Sequence, residues 1–316
     1  MIFIFGQTLN IICKKFSNIY HSKHLSIRVK LKCYLRQIFG MILYPFLLTL
    51  WYMDDLFFPN YKKVQIKNPI FILGGFRTGT TILHRELEKT NENFVSPRFF
   101  EILCPFLTVQ YVVYGIQKYF PNFIDSCILR ICGPAILEKH FMSYNLAEED
   151  DLLISLYFGI GWYNILQYPV LESWHYFANT FDEEEKIGEF YQKCMQKIIY
   201  KRGNQNSRLL AKSHLLQMIP IWKKLYPEKS VFISIERDLN KSLESWMDLH
   251  ERTTRQFFGF SFCSTVLKKH HEIFWRRFIE KFDTIDFDIR VQLEDYCDNP
   301  SVVLRRINDN LKITNT

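Results

Sequence analysis

The chain has 316 residues, 48% of them apolar and 23% charged, with a formal charge of +7. That is an ordinary folding composition with ample material for a core, in one large α/β domain or two small ones; with no internal repeat or low-complexity tract, it excludes a repeat array. Cysteines 13, 33, 104, 127, 132, 194, 263 and 297 are scattered, without C-x-x-C and without histidine at ligand spacing, which argues against a zinc site or a disulfide framework and for reduced thiols facing the cytosol.

The charge is unevenly placed. Lys14, Lys15, Lys23, Arg28, Lys30, Lys32 and Arg36 precede the first acids of the chain, Asp54 and Asp55. A segment of this kind favours an anionic partner, a membrane surface or nucleic acid, over a plain solvated extension. FGMILYPFLLTLWYM, Phe39 to Met53, then runs without a charge and is interrupted by Pro45. A full span needs about 20 apolar residues. This run is short for a span and suits a helix that lies in or dips into a membrane; the alternative is a buried helix packed on the rest of the chain. No small-residue cleavage site follows it. The expected division is therefore a basic arm and apolar helical segment over 1–53 and the main folded domain over 54–316. A membrane surface, not nucleic acid, is the expected partner, with the domain on the cytoplasmic face. A type II protein with a luminal domain is the alternative, with only a short stem between Met53 and the first strand.

After Asn68 the pattern alternates β-rich and helical runs. PIFILG (69–74) reads as a strand and TTILHRELEKT (80–90) as a helix, with Thr78 as its N-cap. An aromatic middle from Phe99 to about Leu171 suggests several helices. Thr180 and Glu183 form a capping box for a helix closed by Gly203. SRLLAK (207–212), VFISIE (231–236) and DFDIRVQ (286–292) read as further strands, with helices over Gln217–Leu225, Leu239–His250 and Val302–Leu311. Strands separated by helices imply a three-layer α/β/α, P-loop-like domain around a parallel sheet. Ligands of such sheets bind at the carboxyl ends of strands, so the residues after 74, 212 and 236 should converge.

The first strand end reads GFRTGTT, Gly75 to Thr81. Glycines, inward N–H groups and a helix N-terminus make an anion cradle there. The P-loop lysine is missing: Thr80 holds its slot, Thr81 the hydroxyl position, and Arg77 is the only cation. The second strand end delivers Lys212, Ser213 and His214; the third delivers Arg237 and Asp238, with Ser245 eight residues beyond Arg237. Arg77, Lys212, His214 and Arg237 on one edge suit a substrate with phosphate-like groups at two places and a proton to be removed.

These motifs resemble the sulfotransferase superfamily, in its membrane-associated branch. GFRTGTT is similar to the 5′-phosphosulfate loop P-[KR]-[ST]-G-T-T, with Phe76 where proline is usual. VFISIERDLNKSLESW resembles the 3′-phosphate motif, with Leu239 in place of its proline, and SRLLAKSHLL resembles a strand end that carries a catalytic lysine and histidine. LAEEDDLLI (146–154) is similar to an acidic motif and PSVVLRRINDNL to a closing helix of the membrane-associated branch. The resemblance covers about residues 54–312 and implies transfer of a sulfuryl group from 3′-phosphoadenosine-5′-phosphosulfate, without a metal, to a hydroxyl or amine of a lipid, glycan or other small molecule.

It further implies that Arg77, Thr78, Gly79, Thr80 and Thr81 hold the 5′ end of the donor and that Arg237 and Ser245 hold its 3′-phosphate. Arg77 and Lys212 would stabilise the leaving oxygen. His214 would be the base, an unshifted histidine being suited to proton transfer near neutrality; Glu101, by likeness to the protein-tyrosine branch, is the alternative. The late arginine–lysine–glycine element of the cytosolic branch has no counterpart before Thr316, so Arg237 and Ser245, or basic residues of the middle region, would carry that phosphate alone. Glu148 to Asp151 read as a solvated helix start or as a brace for Arg77 or a basic acceptor, and His84 as packing or capping. A P-loop kinase with a displaced lysine and an inactive membrane-bound homologue are the rival expectations.

Overall fold

The computed structural model describes residues 9–120, 122–161, 169–170, 184–262 and 264–313. The described chain opens with α1 (Leu9–His21) and the long α2 (Ile27–Phe57), followed by β1 (Ile70–Leu73), α3 (Thr80–Lys89) and the short β2 (Phe94–Val95). The helical middle holds α4 (Phe99–Leu103), α5 (Leu107–Tyr119), α6 (Phe123–Cys132), α7 (Pro134–Lys139) and α8 (Asp151–Phe158). Then come α9 (Glu184–Arg202), β3 (Arg208–Ser213), α10 (Met218–Leu225), β4 (Val231–Glu236), α11 (Leu239–Phe258) and α12 (Ser264–Phe282). β5 (Ile289–Gln292), α13 (Leu293–Asp298) and α14 (Pro300–Ile313) complete the described chain.

Among the described residues the sheet has five strands in the order β2-β3-β1-β4-β5, every neighbouring pair parallel. β1 is buried at all four positions, as a central strand covered on both faces must be. Its residues alternate between two cores. Ile70 and Ile72 face Leu83 and Leu87 of α3 and Val303 and Ile307 of α14, while Phe71 and Leu73 face the layer of α9 and α10. On that side the Phe71 ring stacks 4.1 Å from Trp222. The connection leaving β1 runs towards β2 and the one leaving β4 runs towards β5. The crevice between the carboxyl ends of β1 and β4 is thus the topological switch point, where ligands of this architecture bind.

Element boundaries follow the sequence reading with physical exceptions. β5 begins at Ile289 because the Asp288 carboxylate accepts the Phe232 N–H at 2.7 Å, taking the place of a ladder carbonyl. α9 closes at Gly203; Thr180 and Glu183 of the expected capping box both lie outside the described residues. The division at residue 53 falls inside a helix. α2 runs on through Met53 to Phe57, its N-terminus capped by Ser26, and is long and apolar enough to cross a membrane. Buried Asp54 in its last turns accepts the N–H groups of Leu107 and Thr108 at 2.7 and 2.8 Å and pairs with buried Lys197 at 2.9 Å. The Lys197 ammonium also lies 3.4 Å from the Trp51 ring centroid. A buried ion pair of this kind fixes geometry more than it adds stability.

Candidate active site

The loop after β1 turns on glycines required for two different reasons. A Cβ on Gly75 would stand 2.0 Å from the Trp275 ring, so packing excludes any side chain there. Gly79 has φ 91°, the left-handed region that suits glycine, and is the N-cap of α3. Thr78, expected in that role, is turned inward instead: its hydroxyl donates to the Gly75 carbonyl at 2.8 Å and locks the loop. No side chain caps α3, so its first N–H groups and their partial positive charge remain for a ligand. Phe76 is buried, its ring 4.5 Å from Trp246 and 4.6 Å from His214. In place of the usual proline's stiffness, the loop is held by aromatic packing.

Arg77, in the middle of this loop, has φ 64°, a conformation costly for a residue with a Cβ. Two contacts hold it. Its Nε donates to Ser245 Oγ on α11 at 3.0 Å, and its carbonyl accepts from Arg237 Nη1 at 3.0 Å. The loop after β1, the end of β4 and the second turn of α11 thereby meet in one place. Among the described residues no carboxylate lies within ion-pair distance of either guanidinium, so the crevice concentrates positive charge and favours an anion. Asp238, two residues past the end of β4, caps α11 by accepting the Lys241 N–H at 3.0 Å.

Lys212, at the end of β3, is enclosed differently. Its ammonium donates to Thr81 Oγ1 at 2.8 Å, bonds Glu149 closely and lies 3.5 Å from Glu148. Arg85 and His140 reach the same Glu148, at 3.1 and 3.3 Å. All four acids from Glu148 to Asp151 are buried. They are therefore no solvated helix start: Glu148 and Glu149 brace Lys212, Asp150 N–H donates to the Lys212 carbonyl at 2.9 Å while its carboxylate accepts from the Tyr191 hydroxyl, and Asp151 accepts the His214 N–H at 3.4 Å. Burial lowers the Lys212 pKa to about 8 against the pull of Glu148. Burial alone would raise Glu148, but His140 and Lys212 hold it well below the carboxylate range. Burial and then the charge of Glu148 push Glu149 well above that range. Ligand-type atoms of His140, Glu148 and Glu149 lie within 4.8 Å of one another, yet the cations that meet these carboxylates are Lys212 and Arg85.

His214 Nδ1 lies 2.8 Å from the Gly74 carbonyl. A carbonyl only accepts, so Nδ1 carries the proton and Nε2 keeps the lone pair in the neutral ring. The expectation of an unshifted imidazole does not hold: burial, then neighbouring Lys212, lower its pKa to about 3. His84 packs as expected, Nε2 at 3.0 Å from the Leu210 carbonyl. Glu101 is not gathered with the others. It is the N3 carboxylate of the α4 capping box, accepting the Arg98 N–H at 3.0 Å, and is paired with Arg202 at 2.8 Å. With both oxygens occupied it has a structural task, and sequence distance from the strand end gave no sign of Arg202. Arg85 and His140 are the residues the sequence reading missed; their signal was indirect, the acidic motif whose charge they balance.

A cavity of about 920 Å³ opens at the opposite edge of the sheet, lined by Asn68, Asn93 and Arg208 at the amino ends of the strands. It holds none of these groups, and the topological argument places ligands at the carboxyl edge.

A sulfotransferase family model matches residues 69–316. Sulfotransferase STF1 from Mycobacterium tuberculosis H37Rv has a similar structure, with a TM-score of 0.73 at 18% identity over 95% of this chain and 82% of that one. Sulfotransferase STF9 from Mycobacterium avium gives a TM-score of 0.69 at 13% identity over 93% of this chain and 75% of that one. No curated protein sequence matches. The chain belongs to the sulfotransferase family, and its enzyme class is transferase.

Proposed function

We propose that this sulfotransferase takes its sulfuryl group from 3′-phosphoadenosine-5′-phosphosulfate and passes it to a hydroxyl or amine of a small-molecule, lipid or glycan acceptor. The observation that carries the reading is the meeting of Arg77, Arg237 and Ser245 from three elements around an uncapped helix N-terminus. Such a crevice suits a ligand with two separated anionic groups. The first N–H groups of α3, with Thr80 and Thr81, would hold the 5′-phosphate side, and Arg237 with Ser245 the 3′-phosphate. The donor supplies a sulfuryl group on a phosphate leaving group, and its departure builds negative charge on the bridging oxygen. Arg77 and Lys212 would stabilise that charge: Arg77 is already fixed beside the cradle, whereas Lys212, held by Thr81, Glu148 and Glu149, would have to turn from one of them.

His214 is the proposed proton acceptor through Nε2. Its low pKa in the free protein keeps it neutral, and an adjacent bound anion would raise it towards the working range. Glu149 is the second reading, supported by its contact with Lys212 and its raised pKa. The kinase alternative needs a strand-end Asp for magnesium; Asp238 is occupied as a helix cap, and the neighbouring Glu236 is paired with Arg290. The chemistry faces a reducing compartment and a membrane surface in this reading, supported by the basic arm, the apolar α2 and cysteines without disulfide partners among the described residues.

The test is calorimetric titration with adenosine 3′,5′-bisphosphate in EDTA. Metal-independent binding that weakens in Arg237→Ala is expected; no binding overturns the reading. His214→Ala is expected to bind this nucleotide as before and to lose turnover in a screen of lipid and carbohydrate extracts with labelled donor. Full activity in that variant would move the base to Glu149.

A further inference from the structure

The apolar helix α2 is fastened to the catalytic domain at both of its ends. Near its start Arg36 Nη2 donates to the Phe257 carbonyl at 2.8 Å, and its guanidinium lies 4.4 Å from the Phe258 ring centroid; Lys32 donates to the Phe258 carbonyl at 3.3 Å. Near its end Asp54 is locked to α5 and Lys197 as described above. The stretch from Arg36 to Asp54 advances a helix by about 27 Å, close to the ~30 Å of a bilayer's hydrocarbon core. A spanning helix would hold those two residues at opposite membrane surfaces. One folded domain grips both, so α2 lies along the domain surface and cannot span.

Between these anchors one side of the helix packs on the core through Tyr44, Leu47, Leu48, Leu50 and Trp51, and the other side is bare. Ile38, Phe39, Gly40, Met41 and Ile42 are consecutively exposed, Ile42 at 71%. The neighbouring helices continue the surface. α5 starts on Asp54, and its Tyr111 ring stacks 5.2 Å from Phe58 just beyond α2; α6 ends on the same α11 terminus that holds Arg36, through Gln256 Nε2 to the Ile131 carbonyl at 3.4 Å. At the α5–α6 turn Ile116, Tyr119, Phe120 and Phe123 are exposed, Tyr119 at 77%. Soluble monomers rarely expose apolar surface on this scale.

Charge chooses the occupant. Across 9–53 and 107–132 the sequence holds one acid, Asp125, whose carboxylate is turned into the domain, accepting from Ser143 Oγ and Tyr144 N–H. Lys23, Arg28, Lys118 and Arg130 are exposed on and beside these helices. An apolar face with exposed cations beside it matches an anionic lipid surface and opposes a second copy of the same basic face. We infer that α2, α5 and α6 form one monotopic face on which the catalytic domain rests flat in the interface of an anionic bilayer. The inference rests on the membrane reading above, not on the sulfuryl chemistry.

The test is flotation of the purified full chain with vesicles of phosphatidylcholine alone or mixed with phosphatidylserine. The chain is expected to float with the mixed vesicles and far less with the neutral ones. Ile116→Glu with Phe120→Glu, which leaves α2 whole, is expected to reduce the floated fraction by about tenfold or more at unchanged thermal melting. In sealed membrane vesicles, epitopes at the N- and C-termini are expected to be digested by protease added on one and the same side. Flotation that survives the double substitution, or epitopes on opposite sides, overturns the flat placement while the membrane reading stands. Failure of the parent chain to float overturns both. A dimer in solution that the double variant loses assigns the face to a second copy instead.

Discussion

At one end of the crevice Arg77 and Arg237 stand with a serine hydroxyl and a backbone carbonyl for company, whereas at the other Lys212 is enclosed by Glu148, Glu149 and Thr81. Both ends are positive side chains at strand termini, and the sequence writes them alike. They differ in whether the protein supplies a counter-charge at contact distance; Glu149 and Asp248 act on Arg77 only from beyond it. Where it does not, positive potential is left for a ligand and the local fold gains little from the cations. Where it does, the cation is fixed in place at the expense of burying carboxylates with it.

Removing the enclosed cation should have the largest effect. Lys212→Met leaves Glu148 and Glu149 buried beside one another, and a loss of about 3–5 kcal/mol in unfolding free energy is expected, read by urea denaturation. Adding Glu149→Gln should restore much of that stability without restoring turnover. A single variant as stable as the parent would break the contrast. Next comes the uncompensated end. Arg237→Ala should lower affinity for adenosine 3′,5′-bisphosphate by roughly 2–3 kcal/mol, about 30- to 150-fold, and lower the unfolding free energy by only about 0.5–1.5 kcal/mol, for the lost bond to the Arg77 carbonyl, because no carboxylate is orphaned.

A pH series sharpens the contrast further. Lys212 is expected to lose its proton near pH 8 in the folded protein, against an ordinary 10.5 when unfolded. Between those values the unfolded chain holds a proton that the folded chain has released, so the Lys212 contribution makes stability rise with pH across that window. Turnover should do the reverse and fall as pH passes 8, since the ammonium is the form that stabilises a leaving oxygen. Anion binding should raise the Lys212 pKa, seen as proton uptake when titrations near pH 8 are compared in buffers of different ionisation enthalpy. The smallest effect on catalysis is expected at Glu101. Glu101→Gln should leave kcat/KM unchanged and cost about 1–3 kcal/mol of stability through the weakened Arg202 pair and α4 cap.

The strands were legible because each is a short, nearly continuous apolar run; β4 was bounded to the residue, as Val231–Glu236. The convergence of residues after 74, 212 and 236 followed from the parallel topology alone. What escaped was pairing between distant segments. Glu101 looked like a candidate base until Arg202, a hundred residues on, closed over it. Thr78 looked like a cap, but its hydroxyl found a nearer acceptor in its own loop. The boundary at 53 marked a change in charge, while the helix ignored it because Asp54 completes a contact with α5.

By itself, then, the order of residues determined the sheet, the anion cradle and the identity of the cations at its rim, since periodicity, glycine and charge act over a few neighbours. Only the tertiary structure decided which cation is neutralised, which proton His214 keeps and on which surface α2 lies. Those properties depend on burial and on partners tens to hundreds of residues away, and local sequence carries no measure of either.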